Sequence, residues 1–412
     1  MTRKKKRNNR HNKQEMRHHR NQFLKKTEQT MALVGDASAF KLLSKADYTL
    51  LFHCRLRPYK IILSNPQDSK TNRHILKAMN HNLTTLLQQE YFEFGQPKIK
   101  ISIYDFSVYL ETLHLFWSNA PKNNPEIAEQ FRACFPLFAE VDFTDIRVAV
   151  LVKVKNAINL TVWFFSNVTS HFLRASPEEV KKLTSPYDNA VFFNNYILEE
   201  KPAETKMLKI DGHSRIVYRL YHDNGEAFVP LTIKSEKLGI QGVMQKFPLQ
   251  VYIQEHALIR IGERIGKFYA IFNYLPVTSA IFLSDPVPAE NKYSCLFPFK
   301  ISGLKLGYLK GDIIGDKLVI RTFLFLTNNG TPEGKKLHKL IGIEKADKNY
   351  LGIDQMSAFI YSDINEDKKL KSLFCEAGCG DLFRLNKNML INTNGKKITS
   401  AKLLTQYLGL ES

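Results

Sequence analysis

Three side chains in the stretch QEHALIRIGER, residues 254–264, have the types and spacing to act on a phosphate. His256, Arg260 and Arg264 stand four residues apart. Steps of four advance only about 40° around a helix axis, so on a helix the three form one narrow stripe. Leu258, Ile261 and Ile265 fall towards another side and can bury. Attack by a 2′-hydroxyl on the adjacent phosphate needs proton transfer at two oxygens and cations where charge builds on the non-bridging oxygens. His256 can serve as general base or acid, and Arg260 and Arg264 can clamp the phosphate with paired N–H donors, with no metal or other cofactor required. The competing interpretation is a solvated helix face on which Glu255 and Glu263 pair with the arginines.

The rest of the chain must position that stripe. Its 412 residues are 44% hydrophobic, enough for two cores, and the formal charge is +19, from 59 Lys and Arg against 40 Asp and Glu. An excess of that size favours a polyanionic partner. Residues 1–26 hold eleven of the basic side chains and one acid, Glu15. With almost nothing apolar to bury, residues 1–30 are expected to form a disordered arm whose Lys4, Lys5, Lys6, Arg7 and Arg10 are drawn to RNA by counterion release. A solubilising tail is the alternative. KKKR can also serve as a nuclear address.

No secretory signal follows the charged start, and no window has the length and lack of charge of a bilayer span. The five cysteines are odd in number and scattered, which suits reduced thiols in the cytoplasm. Cys375 and Cys379 in CEAGC have no second pair or nearby histidine to complete a tetrahedral metal site.

The patterning predicts an α+β chain of two domains behind the arm, with helices packed on antiparallel sheets. Strands are expected within 47–64, helices from the 3.6-residue periodicity around 75–87, 104–118 and 125–135, and two or three antiparallel strands over 137–166. A short helix at SPEEVKKLTS and a strand at AVFFNNYIL complete a first domain, 35–200, in which no chemical motif stands out. EEKPAETK reads as a linker into a second domain, 207–412. There, Asp223-Asn224-Gly225 marks a hairpin, strands run through YSCLFPFKI, LKLGYLKGDIIGD and KLVIRTFLFLT, and Thr331 and Pro332 start a helix.

HALIRIGERIG followed by this β-meander resembles the superfamily that groups barnase, EndoU, colicin-type and RelE-like ribonucleases, over residues 215–345. That resemblance implies a helix stripe of His256, Arg260 and Arg264 before a four-stranded antiparallel sheet. It also implies a hydroxyl on a late strand, best matched by Thr322, with Thr327 the second candidate. The implied activity is metal-independent RNA cleavage to a 2′,3′-cyclic phosphate and a 5′-hydroxyl. A toxin-like member would have an inhibitor or antitoxin protein as partner. A 26-residue insertion, KFYAIFNYLPVTSAIFLSDPVPAENK, separates helix from meander in this chain. Tyr308 and Lys310 are further candidates to line the RNA cleft. His213 and His222 read as surface histidines, His338 as a histidine among lysines on a short helix that is open to a role in RNA contact, and LTNNGTPEG as a strand-to-helix turn. A non-catalytic RNA- or DNA-binding protein, with Arg260 and Arg264 as phosphate contacts, is the alternative from a different class.

Overall fold

The computed structural model describes residues 2–63, 73–96, 98–119, 125–178, 194–238, 248–289, 293–386 and 400–407. Helices and sheets occupy both of its compact units, giving an α+β fold. The first unit comprises Met1–Val162 and Arg174–Glu199, the second Trp163–Leu173 and Glu200–Ser412.

The first unit opens with a long helix, α1, Thr2–Val34. Phe23, Thr27, Thr30, Met31 and Val34 are buried along one face of it, and Phe23 meets Phe52 and Tyr109 with ring centroids 5.8 and 5.7 Å apart. The expectation of a disordered arm through residue 30 is therefore corrected: apolar and small polar residues at helical spacing begin at Phe23, and composition averaged over the basic run hides them. Helix α2, Lys45–His53, starts in a capping box in which Ser44 and Asp47 exchange hydrogen bonds. The strands expected over 47–64 thus reduce to β1, Lys60–Leu63. Amphipathic α3, Arg73–Gln89, leads to the hairpin of β2, Tyr91–Phe94, and β3, Ile99–Ser102. Short α4, Ile103–Asp105, runs through a π-helical turn into α5, Glu111–Asn119, and α6, Pro125–Ala133, follows.

Residues 137–166 are helical, contrary to the strands expected there: α7, Leu137–Glu140, and α8, Phe143–Phe165. Val150, Val154, Ala157, Ile158, Thr161 and Val162 are its buried side chains beyond Phe143. Their spacing of three and four is the helical period, and β-branched content outweighed it in the sequence reading. Among the described residues, α8 is the one helix that reaches the length and hydropathy of a bilayer span, with 33% of that window buried. This departs from the expectation that no window would. Lys153 pairs with Glu90 and Arg147 with Glu111, tying α8 into its unit by charge as well as by packing. Strands β4, His171–Pro177, and β5, Asn195–Pro202, join β1 in a three-stranded sheet ordered β1-β5-β4. Most of the helix expected at SPEEVKKLTS lies outside the described residues.

The second unit is built on a mixed sheet. Its strands are β6, Thr205–Ile210; β7, His213–Arg219; β10, Thr232–Ile233; β11, Leu249–Gln254; β12, Val287–Pro288; β13, Ser294–Ile301; β14, Leu304–Ile314; and β15, Lys317–Phe325. The order is β12-β13-β14-β15-β11-β7-β6, with β10 paired to β11. The expected meander is present as β13, β14 and β15, but β11 joins β15 in parallel, and β7 and β6 extend the sheet beyond it. The Asp223-Asn224-Gly225 turn closes a separate hairpin of β8, Tyr221–Asp223, and β9, Phe228–Pro230.

Helix α9, Glu255–Arg264, follows β11 directly. The insertion forms α10, Lys267–Ile271, α11, Tyr274–Phe282, and β12. After β15 come α12, Pro332–Ile341; α13, Lys345–Tyr350; α14, Met356–Tyr361; α15, Lys368–Glu376; and α16, Ala401–Tyr407. One apolar core gathers β11, α9, α11, the meander and the C-terminal helices.

Candidate nucleic-acid interface

The site is made where β11 becomes α9. Leu249, Val251, Tyr252 and Ile253 are buried along the strand, Gln254 holds an extended conformation at φ −81° and ψ 142°, and the helix begins at Glu255. Ala257, Leu258, Ile261 and Ile265 enter the core. The same period turns His256 outwards and leaves Arg260 half-buried.

Strand register brings two more cations to this junction. Gln254 lies opposite Val217 of antiparallel β7, and Ile253 opposite Ile320 of parallel β15. Continuing both ladders by one or two residues sets Arg215 and Arg321 on either side of the start of α9. Arg321 occupies a bulge: Lys310 pairs with Thr322 and Gly311 with Ile320, leaving Arg321 unmatched. Its guanidinium donates to Asp312 Oδ2 at 2.9 Å and to Asp211 Oδ2 at 2.6 Å. Asp211, at φ 51°, and Gly212, at φ 79°, form the tight turn between β6 and β7, where positive φ favours Asp-Gly. The hydrogen bond from Arg321 holds the Asp211 carboxyl below its usual range.

His256 is therefore ringed by guanidiniums. Arg260 Nε donates to His256 Nε2 at 3.4 Å, and Arg260 Nη1 meets Glu263 Oε2 at 2.7 Å. Partial burial lowers the pKa of His256 and Arg260 lowers it further; Glu263 opposes them, and Arg215 and Arg321 add to the fall. The ring is thus neutral at pH 7, with Nε2 as acceptor.

Arg264 departs from the stripe. Its side chain is 12% exposed and sits 3.2 Å from Asp354 Oδ2, whose side chain is 10% exposed. The pair is close enough for attraction, yet Arg264 Nε and Nη1 and Asp354 Oδ1 are buried with no hydrogen-bond partner among the described residues. Burial lowers the proton affinity of Arg264 and raises that of Asp354, outweighing their mutual attraction in both. They border a cavity of about 460 Å³ whose lining includes Arg260, Asn328, Lys345 and Lys348. Lys348 is 2% exposed. It donates to Asn329 Oδ1 and, at 3.1 Å, to the Gly334 carbonyl. Burial pushes its pKa down to about 8.

The remaining expected site residues are dispersed. Thr322 is half-buried opposite Lys310, itself half-buried, and among the described residues no hydrogen bond joins either to the α9 stripe. Thr327 is fully buried, its hydroxyl donating to the Ile353 carbonyl at 2.8 Å. Tyr308 is 3% exposed and donates to Glu333 Oε1 at 3.0 Å. Neither can meet RNA: each hydroxyl is spent inside the core, because the C-terminal helices cover the meander. Lys4, Lys5, Lys6, Arg7 and Arg10 lie on α1, and their side chains fall outside the described residues. His213 is exposed, His222 stacks edge-on against Phe282 at 5.2 Å, and His338 Nδ1 lies 3.0 Å from the Ile343 carbonyl at the end of α12. Cys379 is buried with its thiol pushed up to about 12, and no group of three or more His, Cys, Asp or Glu suited to a metal occurs among the described residues.

Sequence reasoning missed Arg215, Arg321, Lys345, Lys348 and Asp354. Arg321 directly precedes Thr322, but strict alternation hides a bulge, and nothing in the local pattern around Lys345 and Lys348 marks them as cavity-lining. Compared with known protein families, curated proteins and solved structures, the chain matches none.

Proposed function

We propose that this protein binds RNA through its phosphate backbone at the junction of β11 and α9. The observation that carries this reading is the convergence of Arg215, Arg260 and Arg321, from β7, α9 and β15, on one neutral imidazole, His256. Guanidiniums present forked N–H donors suited to phosphate oxygens; Arg321 is held by Asp312 and Asp211, and Arg260 shares one donor with Glu263, so Arg215 and Arg260 are the pair that meets the phosphate while Arg321 braces the junction. The net charge of +19 acts in the same direction over longer distances. The choice of RNA rests on the resemblance of residues 215–345 to the barnase, EndoU, colicin and RelE-like ribonucleases. All five cysteines are free thiols, which agrees with work in the reducing cytoplasm.

A second reading, cleavage, is favoured by the His256–Arg260 hydrogen bond. The neutral imidazole can take the proton of a 2′-hydroxyl at Nε2 once Arg260 turns its N–H donors from that nitrogen to the phosphate, where they steady the charge. Arg264 then supports the site from its pair with Asp354 instead of touching the phosphate. An antitoxin-like inhibitor would be the natural partner of such an activity.

Purified protein and its His256→Ala variant, incubated with mixed cellular RNA in EDTA and assayed for binding and for end chemistry, separate the two. Binding by both proteins with intact RNA supports the backbone-binding reading. Cyclic-phosphate ends made by the parent alone support cleavage. Absence of binding by the parent contradicts both.

A further inference from the structure

The cavity at the last turn of α9 holds more positive charge than the fold requires. Arg260, Arg264, Lys345 and Lys348 line it against a single carboxylate, Asp354. Asn328 and Asn349 add neutral amides. Asp354 is 7% and Lys348 2% exposed, so two of the charged groups are almost wholly removed from water. Burying charge is costly unless each group is fully hydrogen-bonded. Here Arg264 Nη1 reaches Asp354 Oδ2 only as an ion pair at 3.2 Å, and Arg264 Nε and Asp354 Oδ1 are buried with no hydrogen-bond partner among the described residues. Replacing such a pair by apolar side chains is often neutral or stabilising, so an ion pair left incompletely bonded beside a cavity points to a ligand whose acceptor oxygens complete Arg264.

We propose that this cavity binds a phosphate monoester at the end of an RNA strand. The inference rests on the RNA-binding reading and extends it. With Asp354 engaged by Arg264, the surplus on the walls is close to two positive charges once Glu263 is set against Arg260. A terminal monoester supplies about two negative charges near neutral pH, whereas an internal phosphodiester supplies one. Arg264 offers forked donors, Lys348 a point charge and Asn328 and Asn349 amide donors. At about 460 Å³ the cavity exceeds a bare phosphate and lies in the range of small-molecule sites, leaving room for the terminal sugar. Arg260 lines the cavity and also hydrogen-bonds His256, so an end group held here continues onto the backbone site.

The test uses the full-length protein and three RNA oligonucleotides of one sequence, carrying a 5′-phosphate, a 3′-phosphate or no terminal phosphate. One phosphorylated form is expected to bind at least about tenfold tighter than the unphosphorylated one. That preference is expected to vanish in the double substitution Lys345→Ala and Asn349→Ala, both exposed and outside the core, and in Lys348→Met. Equal affinity for all three by the parent overturns the end-binding proposal while leaving backbone binding intact. A preference that survives the double substitution overturns it as well. If no oligonucleotide binds, the RNA reading has failed, and titration calorimetry with a nucleoside monophosphate decides the cavity alone. Heat that the double substitution abolishes supports a free-nucleotide site; no heat overturns the site.

Discussion

His256 is the residue whose chemistry is most exposed to test, because its neighbours fix the sign of its response. Burial and three guanidiniums keep it neutral at pH 7. RNA affinity is therefore expected to rise as pH falls below the ordinary imidazole range, when protonation adds a cation beside the phosphate. His256→Ala should flatten that rise, measured by titrations from pH 7.5 to 5. His114 offers a stability counterpart. It stacks on Phe143 at 4.2 Å, and burial, then Arg147, lowers its pKa to about 4 from the ordinary imidazole value of 6.5. The unfolded chain binds this proton more readily, so stability is full above about pH 6.5 and falls as pH drops towards 4. His114→Gln should reduce the acid-induced fall in Tm by a few degrees. An unchanged pH profile of Tm would show that the shift is not carried by this residue.

Elements set these residues in place through a few backbone positions. Thr331 is wholly buried; its hydroxyl donates to the Leu326 carbonyl at 2.7 Å and accepts from Gly334 N at 2.9 Å at the start of α12. Thr331→Ala should cost about 1–2 kcal/mol, read by denaturant unfolding. Gly334→Ala should cost more, because a Cβ there would lie 1.8 Å from the Asn328 carbonyl oxygen. As Asn328 lines the cavity, that substitution should disturb phosphate binding too; unchanged stability in Gly334→Ala would contradict the packing described. Much of this level is legible in the sequence. The Thr331-Pro332 start, the Asp223-Asn224-Gly225 hairpin and the β13–β15 meander follow from turn chemistry and alternation. Residues 137–166 are not, because Val and Ile suit strands yet fall at helical spacing on α8. The stripe on α9 is legible as far as His256 and Arg260. The fate of Arg264 depends on Asp354, ninety residues later, and the aim of Arg321 on a bulge, neither of which local pattern encodes.

At the scale of the whole molecule, charge and chain path matter most. Residues 163–173 belong to the second unit although the rest of it begins at Glu200. Val168 and Phe172 are fully buried in its core, and Asn273 Oδ1 accepts from Val168 N at 3.0 Å. Phe164 stacks on Phe272 at 4.9 Å. A chain of residues 200–412 loses all of this and should unfold at least several degrees lower than one of residues 163–412, in thermal melts of both. Equal melting temperatures would contradict the assignment of the segment. The most direct test of RNA binding at the β11–α9 junction is the salt dependence of affinity, compared between the full-length protein and its Arg215→Ala and Arg260→Ala double variant. Loss of two phosphate contacts should reduce the slope of log affinity against log salt by about 1.4, with weaker binding throughout. An unchanged slope and affinity would contradict a backbone site at this junction and place RNA contact elsewhere on the chain.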